Sequence, residues 1–390
     1  MNYDTNQAAL IALRQELHQF PELSGFESGT AAELIHLFKP YRPDRIIEGI
    51  GGLSLAVVFE GRDQNPGPTV LFRCELDALP IAESNDIPYR SRRDGISHAC
   101  GHDGHIAIMA GFGEILAHDR PRNGRIVLFF QAEEETGAGA EKAIEDPKFK
   151  DIRPDYVFGL HNIPGFPTHT ILTRPGEFSS ASTGMIIKLK GRESHAAEPK
   201  SGINPARAVS LIVTGLLDLP RTPAFRENST LTTIIMIRLG QGAFGISPGQ
   251  AVIMATLRSY SNEVMPLLIR NAERIVRTNA GREGLEFEIA YKEQFPGVAN
   301  NQECIDIVTS AARKNDFPLR SLKDPFPWSE DFSQFTGRFK GALFGLGAGE
   351  DHPPLHHPDY DFPDEIIATG VQMFDSIYRI LFKTKEGVGE

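Results

Sequence analysis

The chain has 390 residues, of which 41% are hydrophobic and 23% charged, and its formal net charge is −11 at pH 7. That length allows two or three domains with cores of their own, and the composition carries no disordered or fibrous bias. The negative balance argues against broad attraction to nucleic acid or an anionic membrane, and no apolar run approaches the roughly 20 residues that cross a bilayer.

In chain order, residues 4–20 have apolar positions at helical spacing, and Pro21 marks the end of that helix. A second helix is expected from Thr30, as its N-cap, to Phe38. Residues 53–61 and 69–77 read as strands. The run after Gly101 reads as a helix with Ile106, Met109, Ala110 and Phe112 buried. RIVLFFQ (125–131) and DYVFGLH (155–161) read as buried strands, with a short helix at TGAGAEKAIED between them. Strands alternating with helices predict an α/β layer architecture with a large, mixed but mainly parallel sheet.

The pattern changes near Gly184. The strand GMIIKLKG, the helix NPARAVSLIVTGLLDL with Pro205 in its first turn, and the strands LTTIIMIRLG and QAVIMATLRSY come next. A helix that Gly281 could terminate and the strand LEFEIAYKEQF complete a β-α-β-β-α-β order, the ferredoxin-like split motif. This α+β segment, residues 184–296, is expected as an insertion in a larger domain of residues 1–183 and 297–390. The larger domain resumes with a helix at QECIDIVTSAARKN, a strand at GALFGLG and the helix DEIIATGVQMFDSIYRILFK.

The first residues lack the basic-then-apolar pattern of a signal peptide. Cys74, Cys100 and Cys304 are too few, and odd in number, for a disulfide framework. A cytoplasmic location is therefore expected, which leaves cysteine chemistry to metal binding or nucleophilic attack.

The strongest local signal is SHACGHDGH (97–105), which puts a thiol, three imidazoles and a carboxylate within nine positions. Cys100 and His102 can reach one site if the segment turns, and thiolate with imidazole suits zinc or another transition metal. The plainer reading is a loop before a helix. A second signal is the triplet Glu133, Glu134, Glu135 after RIVLFFQ, at the strand end where open α/β sheets bind ligands. Neighbouring side chains point differently, so one carboxylate could hold a metal while the next meets water. The alternative is a solvated acidic turn at a helix N-terminus. His161 ends the next strand, and His352, His356 and His357 precede the last helix. Asp77 lies just past a strand, where a carboxylate could orient a metal-binding imidazole. Each of these alone has an ordinary structural reading; their convergence on strand ends and helix starts favours a metal centre. In the inserted segment, His195 lies in a loop and Arg258 within a strand.

Over nearly its whole length the chain resembles the amidohydrolase branch of the aminoacylase and carboxypeptidase-G type metallopeptidases, which includes hippurate hydrolases and auxin-conjugate hydrolases. The segments that carry the resemblance are LRQELHQFPELSGFE, FRCELDALPI, HACGHDGH, FFQAEEETGAGA, GLHN, SHAAEPKSGINPARA, SEDFSQF and PLHHPDYDF. The resemblance implies a catalytic domain at 1–183 and 297–390 and a lid or dimerisation domain at 184–296. It implies Cys100, His102, Glu135, His161 and His356 as ligands of two divalent ions per subunit, among zinc, manganese, nickel and cobalt. Counting back from GAGA, Glu134 matches the general base; a slip of one position would make it Glu133. Asp77 matches the aspartate of the family's DALP motif, whereas Glu75 stands where Asp is usual and Cys74 where Ala is usual. His357 replaces a small polar residue. His195 resembles a residue that reaches a partner subunit's active site, and Asn204 and Arg258 match positions that bind the substrate carboxylate.

The resemblance thus implies a metal-dependent amidohydrolase acting on a small N-acyl amino acid, as a homodimer or higher homo-oligomer. A metallo-carboxypeptidase or dipeptidase, and a non-catalytic metal- and ligand-binding homologue, are the alternatives. Pocket shape would be set by loops and by side chains such as Phe244, Trp328 or Phe332.

Overall fold

The structure is a computed structural model that describes residues 6–63, 65–226 and 229–383. The chain divides into two compact units: one takes Met1–Phe178, Val298–Asp324 and Asp331–Glu390, the other Ser179–Gly297 and Pro325–Glu330.

The first unit begins with α1 (Gln7–Gln19), α2 (Ser28–Phe38), β1 (Arg45–Ile50), β2 (Ser54–Glu60) and β3 (Thr69–Glu75). It continues with α3 (His102–His118), β4 (Arg125–Gln131), α4 (Gly139–Glu145), β5 (Tyr156–Ile163), β6 (Ile171–Thr173) and β7 (Gly176–Glu177). The second unit holds β8 (Ala181–Lys190), β9 (Ser194–His195), α5 (Ala206–Asp218), β10 (Thr230–Leu239), β11 (Ile246–Ser247), β12 (Gln250–Ser259), α6 (Met265–Arg282) and β13 (Glu286–Phe295). The first unit then resumes with β14 (Ala299–Asn300), α7 (Gln302–Lys314), β15 (Leu319–Ser321), α8 (Ser333–Thr336), β16 (Lys340–Gly347) and α9 (Ile367–Lys383).

An eight-stranded sheet in the order β1-β2-β4-β3-β5-β16-β6-β15 forms the first unit. Its middle, β4-β3-β5-β16, is parallel throughout. These strands are almost wholly buried runs such as VLFRCE and IVLFFQ, as expected of strands covered on both faces. Helix α3 buries nearly its whole length, from His102 to Leu116, and shares a core with Leu10 of α1, Val308 of α7 and Phe374 of α9. The β1–β2 hairpin adds antiparallel pairing at one edge. Strand β1 escapes a reading by pattern because its residues are mostly half-exposed and are followed by Gly51 and Gly52.

The second unit has a four-stranded antiparallel sheet, β10-β12-β8-β13, with α5 and α6 sharing its core. Two expected helix ends are corrected. Thr30 lies inside α2, which starts at Ser28 with Glu27 as N-cap; the backbone N–H and hydroxyl of Thr30 both donate to Glu22. Gly281 lies inside α6, and the left-handed residue that stops the helix is Gly284, at φ +66°. Asp4 lies outside the described residues. Among the described residues, no helix is long and apolar enough to cross a membrane.

Candidate metal centre

The parallel strands deliver their C-terminal ends to one edge of the sheet. Asp77 lies two residues beyond β3, Glu133 to Glu135 follow β4, His161 is near the end of β5, and His102 opens α3. Strand β5 runs on to Ile163, so His161 is held within the strand rather than at its last position. The turn that joins Cys100 to His102 requires glycine: Gly101 has φ +87°, and a Cβ there would stand 2.8 Å from the Asn162 amide.

The donor atoms of Cys100, His102 and His161 lie within 4.8 Å of one another, as do those of Cys100, Glu135 and His356, and those of His102, Glu134 and Glu135. Cys100 Sγ stands 3.5 Å from His161 Nε2. Glu135 Oε1 is 3.9 Å from His102 Nε2 and 3.6 Å from His356 Nε2. Two of the imidazoles are aimed by their other ring nitrogen: His102 Nδ1 lies 2.8 Å from the Asp77 carbonyl and His161 Nδ1 2.9 Å from the Asn162 carbonyl. The backbone N–H of His356 donates to the Ala99 carbonyl at 2.8 Å, which ties its loop to the Cys100 segment. Burial, followed by the charge of His102, lowers the pKa of His356 and favours the neutral imidazole that coordinates metals. A thiol, imidazoles and a carboxylate gathered at one edge of the sheet, with Cys100, His102 and His161 buried and His356 half exposed, fit a transition metal ion rather than calcium or magnesium.

The three consecutive acids have different surroundings. Glu133 has a left-handed backbone, φ +58°, a conformation worth about 1–3 kcal/mol of strain in a residue other than glycine. Its N–H donates to Glu27 Oε1 at 2.9 Å, and its carboxylate pairs with Lys142 at 2.5 Å. Glu134 is buried and accepts the Asp331 N–H at 3.2 Å. The N–H of Glu135 donates to Asp77 Oδ2 at 2.9 Å, and the Ser24 hydroxyl reaches the same oxygen at 2.7 Å. With Oδ2 so occupied, Asp77 orients His102 chiefly through its carbonyl, while Oδ1 stands 3.5 Å from His102 Nδ1. Burial alone would raise the Asp77 carboxyl, but His102, the Glu135 N–H and Ser24 together hold it below the usual carboxylate range.

Around this centre lies a buried polar network that residue patterns alone do not reveal. Arg73 is wholly buried and donates to Gln131 at 2.9 Å, to Asp331 at 2.7 Å and to Glu75. Glu75 also meets His105 Nδ1 at 2.6 Å, and His105 Nε2 lies 2.6 Å from Asn162 Oδ1. Donor atoms of Glu75, His102 and His105 form a further close group. The available signals were the SEDF and GLHN segments, whose Asp331 and Asn162 carry no liganding pattern of their own.

Other expected residues have different immediate neighbours. His357 pairs with Asp359 at the surface, and His352 Nε2 lies 2.6 Å from the Asp361 carbonyl, so neither joins a donor group. Phe332 is fully buried under the Arg73 guanidinium, Trp328 stacks on Phe326, and Phe244 is fully exposed. In the second unit, His195 is exposed in the β9–β11 ladder and its Nδ1 accepts the Ala197 N–H at 3.1 Å. Asn204 donates to Ser247 at 3.0 Å and accepts the Ala206 N–H at 2.8 Å, fastening the start of α5. Arg258 donates to the Ser329 hydroxyl at 3.0 Å and to the Pro327 carbonyl at 3.2 Å.

Residues 71–379, most of the chain, match the family described as Peptidase family M20/M25/M40. The chain belongs to that family. It is 29% identical to the N-acetyl-L-cysteine deacetylase of Bacillus subtilis, over 99% of this chain and 91% of the relative. It is also 29% identical to the hippurate hydrolase of Campylobacter jejuni, over 94% and 95%. Among solved structures it is similar to the Bacillus subtilis YXEP protein, described as a dinuclear metal binding peptidase from the M20 family. The TM-score is 0.82 at 25% identity, covering 97% of this chain and 99% of that one. This M20 hydrolase therefore has both the family's sequence signature and a cluster of metal-donor side chains at the sheet edge.

Proposed function

We propose that this M20 hydrolase cleaves the amide bond of a small N-acyl amino acid, releasing a carboxylic acid and a free amino acid. The observation that carries the reading is Cys100 Sγ at 3.5 Å from His161 Nε2, with donor atoms of His102, Glu135 and His356 close by and Glu134 buried beside them. Cys100, His102, Glu135, His161 and His356 would hold two divalent ions, drawn from zinc, manganese, nickel and cobalt. When bound, such ions lower the pKa of water and polarise the scissile carbonyl.

Glu134 takes the proton of the attacking water on its carboxylate and returns it to the leaving nitrogen, a base-then-acid role worth about 10²–10⁴-fold. Its burial and its hydrogen bond from Asp331 suit a group that must be held in one orientation. Asp77 fixes both His102 and the turn that carries Glu135. Asn204 and Arg258 hold the substrate carboxylate, and His195, contributed by a second copy, stabilises the charge that develops on the carbonyl oxygen.

In this reading residues 1–183 and 297–390 form the catalytic domain, and 184–296 a lid and dimerisation domain. Edge strand β10 supports the dimer: Leu231, Ile235 and Ile237 expose 53%, 58% and 48% of their surface. A cytoplasmic location belongs to the same proposal, supported by three free buried cysteines.

The test is a panel of N-acetyl and N-benzoyl amino acids, with dipeptides alongside, assayed under each of the four metals. Release of amino acid from the acylated compounds is expected. Cleavage of dipeptides alone would make the protein a dipeptidase, and two bound ions without turnover would make it a binding homologue.

A further inference from the structure

Asp331 is fully buried, and both its carboxylate oxygens are satisfied by fixed donors. Oδ1 accepts from Arg73 Nη2 at 2.7 Å and Gln131 Nε2 at 2.8 Å. Oδ2 accepts from the same Gln131 nitrogen at 2.8 Å and the Ala140 N–H at 2.9 Å. Those donors come from β3, from the end of β4 and from the start of α4, and the last two flank the acidic triplet in the chain. The backbone N–H of Asp331 in turn donates to Glu134 Oε1 at 3.2 Å. The side chain is thereby locked to the sheet, and the main chain of the same residue holds one oxygen of Glu134.

We propose that Asp331 is a positioning residue for Glu134, clamped for that purpose by Arg73 and Gln131; this rests on Glu134 being the general base. The Arg73 guanidinium suits the task because it is planar and permanently charged, so it reaches Gln131, Glu75 and Asp331 from one fixed plane. A lysine at position 73 keeps the charge but cannot span those three acceptors. Loosening the clamp lets Glu134 rotate away from the proton it must move, while ligands and substrate contacts stay in place.

The test is the pair Asp331→Asn and Arg73→Lys, each measured for bound metal, kcat and KM on an N-acyl amino acid, alone and combined with Glu134→Gln. For Asp331→Asn a kcat loss of about 10–100-fold is expected, the size typical of residues that orient active-site groups, with KM within a few-fold and metal content unchanged. Arg73→Lys is expected to act in the same direction and serves the test if Asp331→Asn does not fold. In the Glu134→Gln background neither substitution should lower the residual rate further, because its route of action is already gone. Unchanged kcat in a folded, metal-replete variant, or an equal loss in both backgrounds, overturns the proposal. Full activity of Glu134→Gln itself overturns instead the reading on which it rests.

Discussion

The backbone N–H of Glu135 donates to Asp77 Oδ2 at 2.9 Å, so the residue whose carbonyl aims His102 also fixes the turn bearing the acids. This link separates the roles of three adjacent carboxylates. Glu133 is drawn to Lys142, Glu134 toward Asp331, and Glu135 toward His102 and His356. Glu134→Gln is therefore expected to lower kcat by about 10²–10⁴-fold with both ions retained. Glu133→Gln should stay within a few-fold of the parent. Steady-state kinetics with metal analysis decides between them, and the reverse order would make Glu133 the base.

Chelation should abolish turnover, and readdition of a transition metal ion should restore it. Cys100 belongs to two of the close donor groups, so Cys100→Ser removes the softest donor from both. Elemental analysis after dialysis should find fewer ions per chain than in the parent. Full retention of metal in the serine variant would take Cys100 out of the ligand set.

A buried cluster of His18, Asp103 at the start of α3, and Glu83 gives the fold a pH dependence. His18 Nδ1 lies 2.8 Å from Asp103, and its Nε2 lies 3.3 Å from Glu83. Burial alone would lower its pKa, but hydrogen bonds and charge from Asp103 and Glu83 outweigh burial and raise it to about 10. The folded value lies above the unfolded value of about 6.5, so this stabilisation is complete below about pH 6.5 and is lost as pH rises through about 10. The Tm of the parent should fall more steeply over that window than that of His18→Gln. Parallel slopes would show that the cluster contributes nothing.

If His195 serves the site of a second copy, inactive His195→Ala and inactive Glu134→Gln proteins should recover activity when their subunits exchange. Mixed dimers contain one site with both residues intact. No recovery, with exchange verified by mass, counts against sharing.

Much of this architecture was legible in the sequence because its signals are local. Continuous apolar runs mark β4 and β5, and the dense donor cluster at Cys100 and His102 stands at a helix start. The order of family motifs added Glu135 and His356, which no spacing rule connects. Strands β1, β6 and β15 leave no pattern in the sequence because they are short or half-exposed and gain their pairing from neighbours distant in sequence or from a hairpin with no pattern of its own. The Arg73–Asp331 contact was invisible for a related reason: 258 positions separate the partners, and neither residue type alone signals a buried pair. The structure separates His356 from His357 by their neighbours: His356 Nε2 lies 3.6 Å from Glu135, whereas His357 pairs with Asp359.

The most direct test of the metal centre is anomalous diffraction from crystals grown with manganese or zinc. Two peaks are expected, about 3.5–4 Å apart as in other two-metal sites, bounded by Cys100, His102, Glu135, His161 and His356. A single peak, or peaks away from the Cys100 thiol and the His356 imidazole, contradicts the assignment.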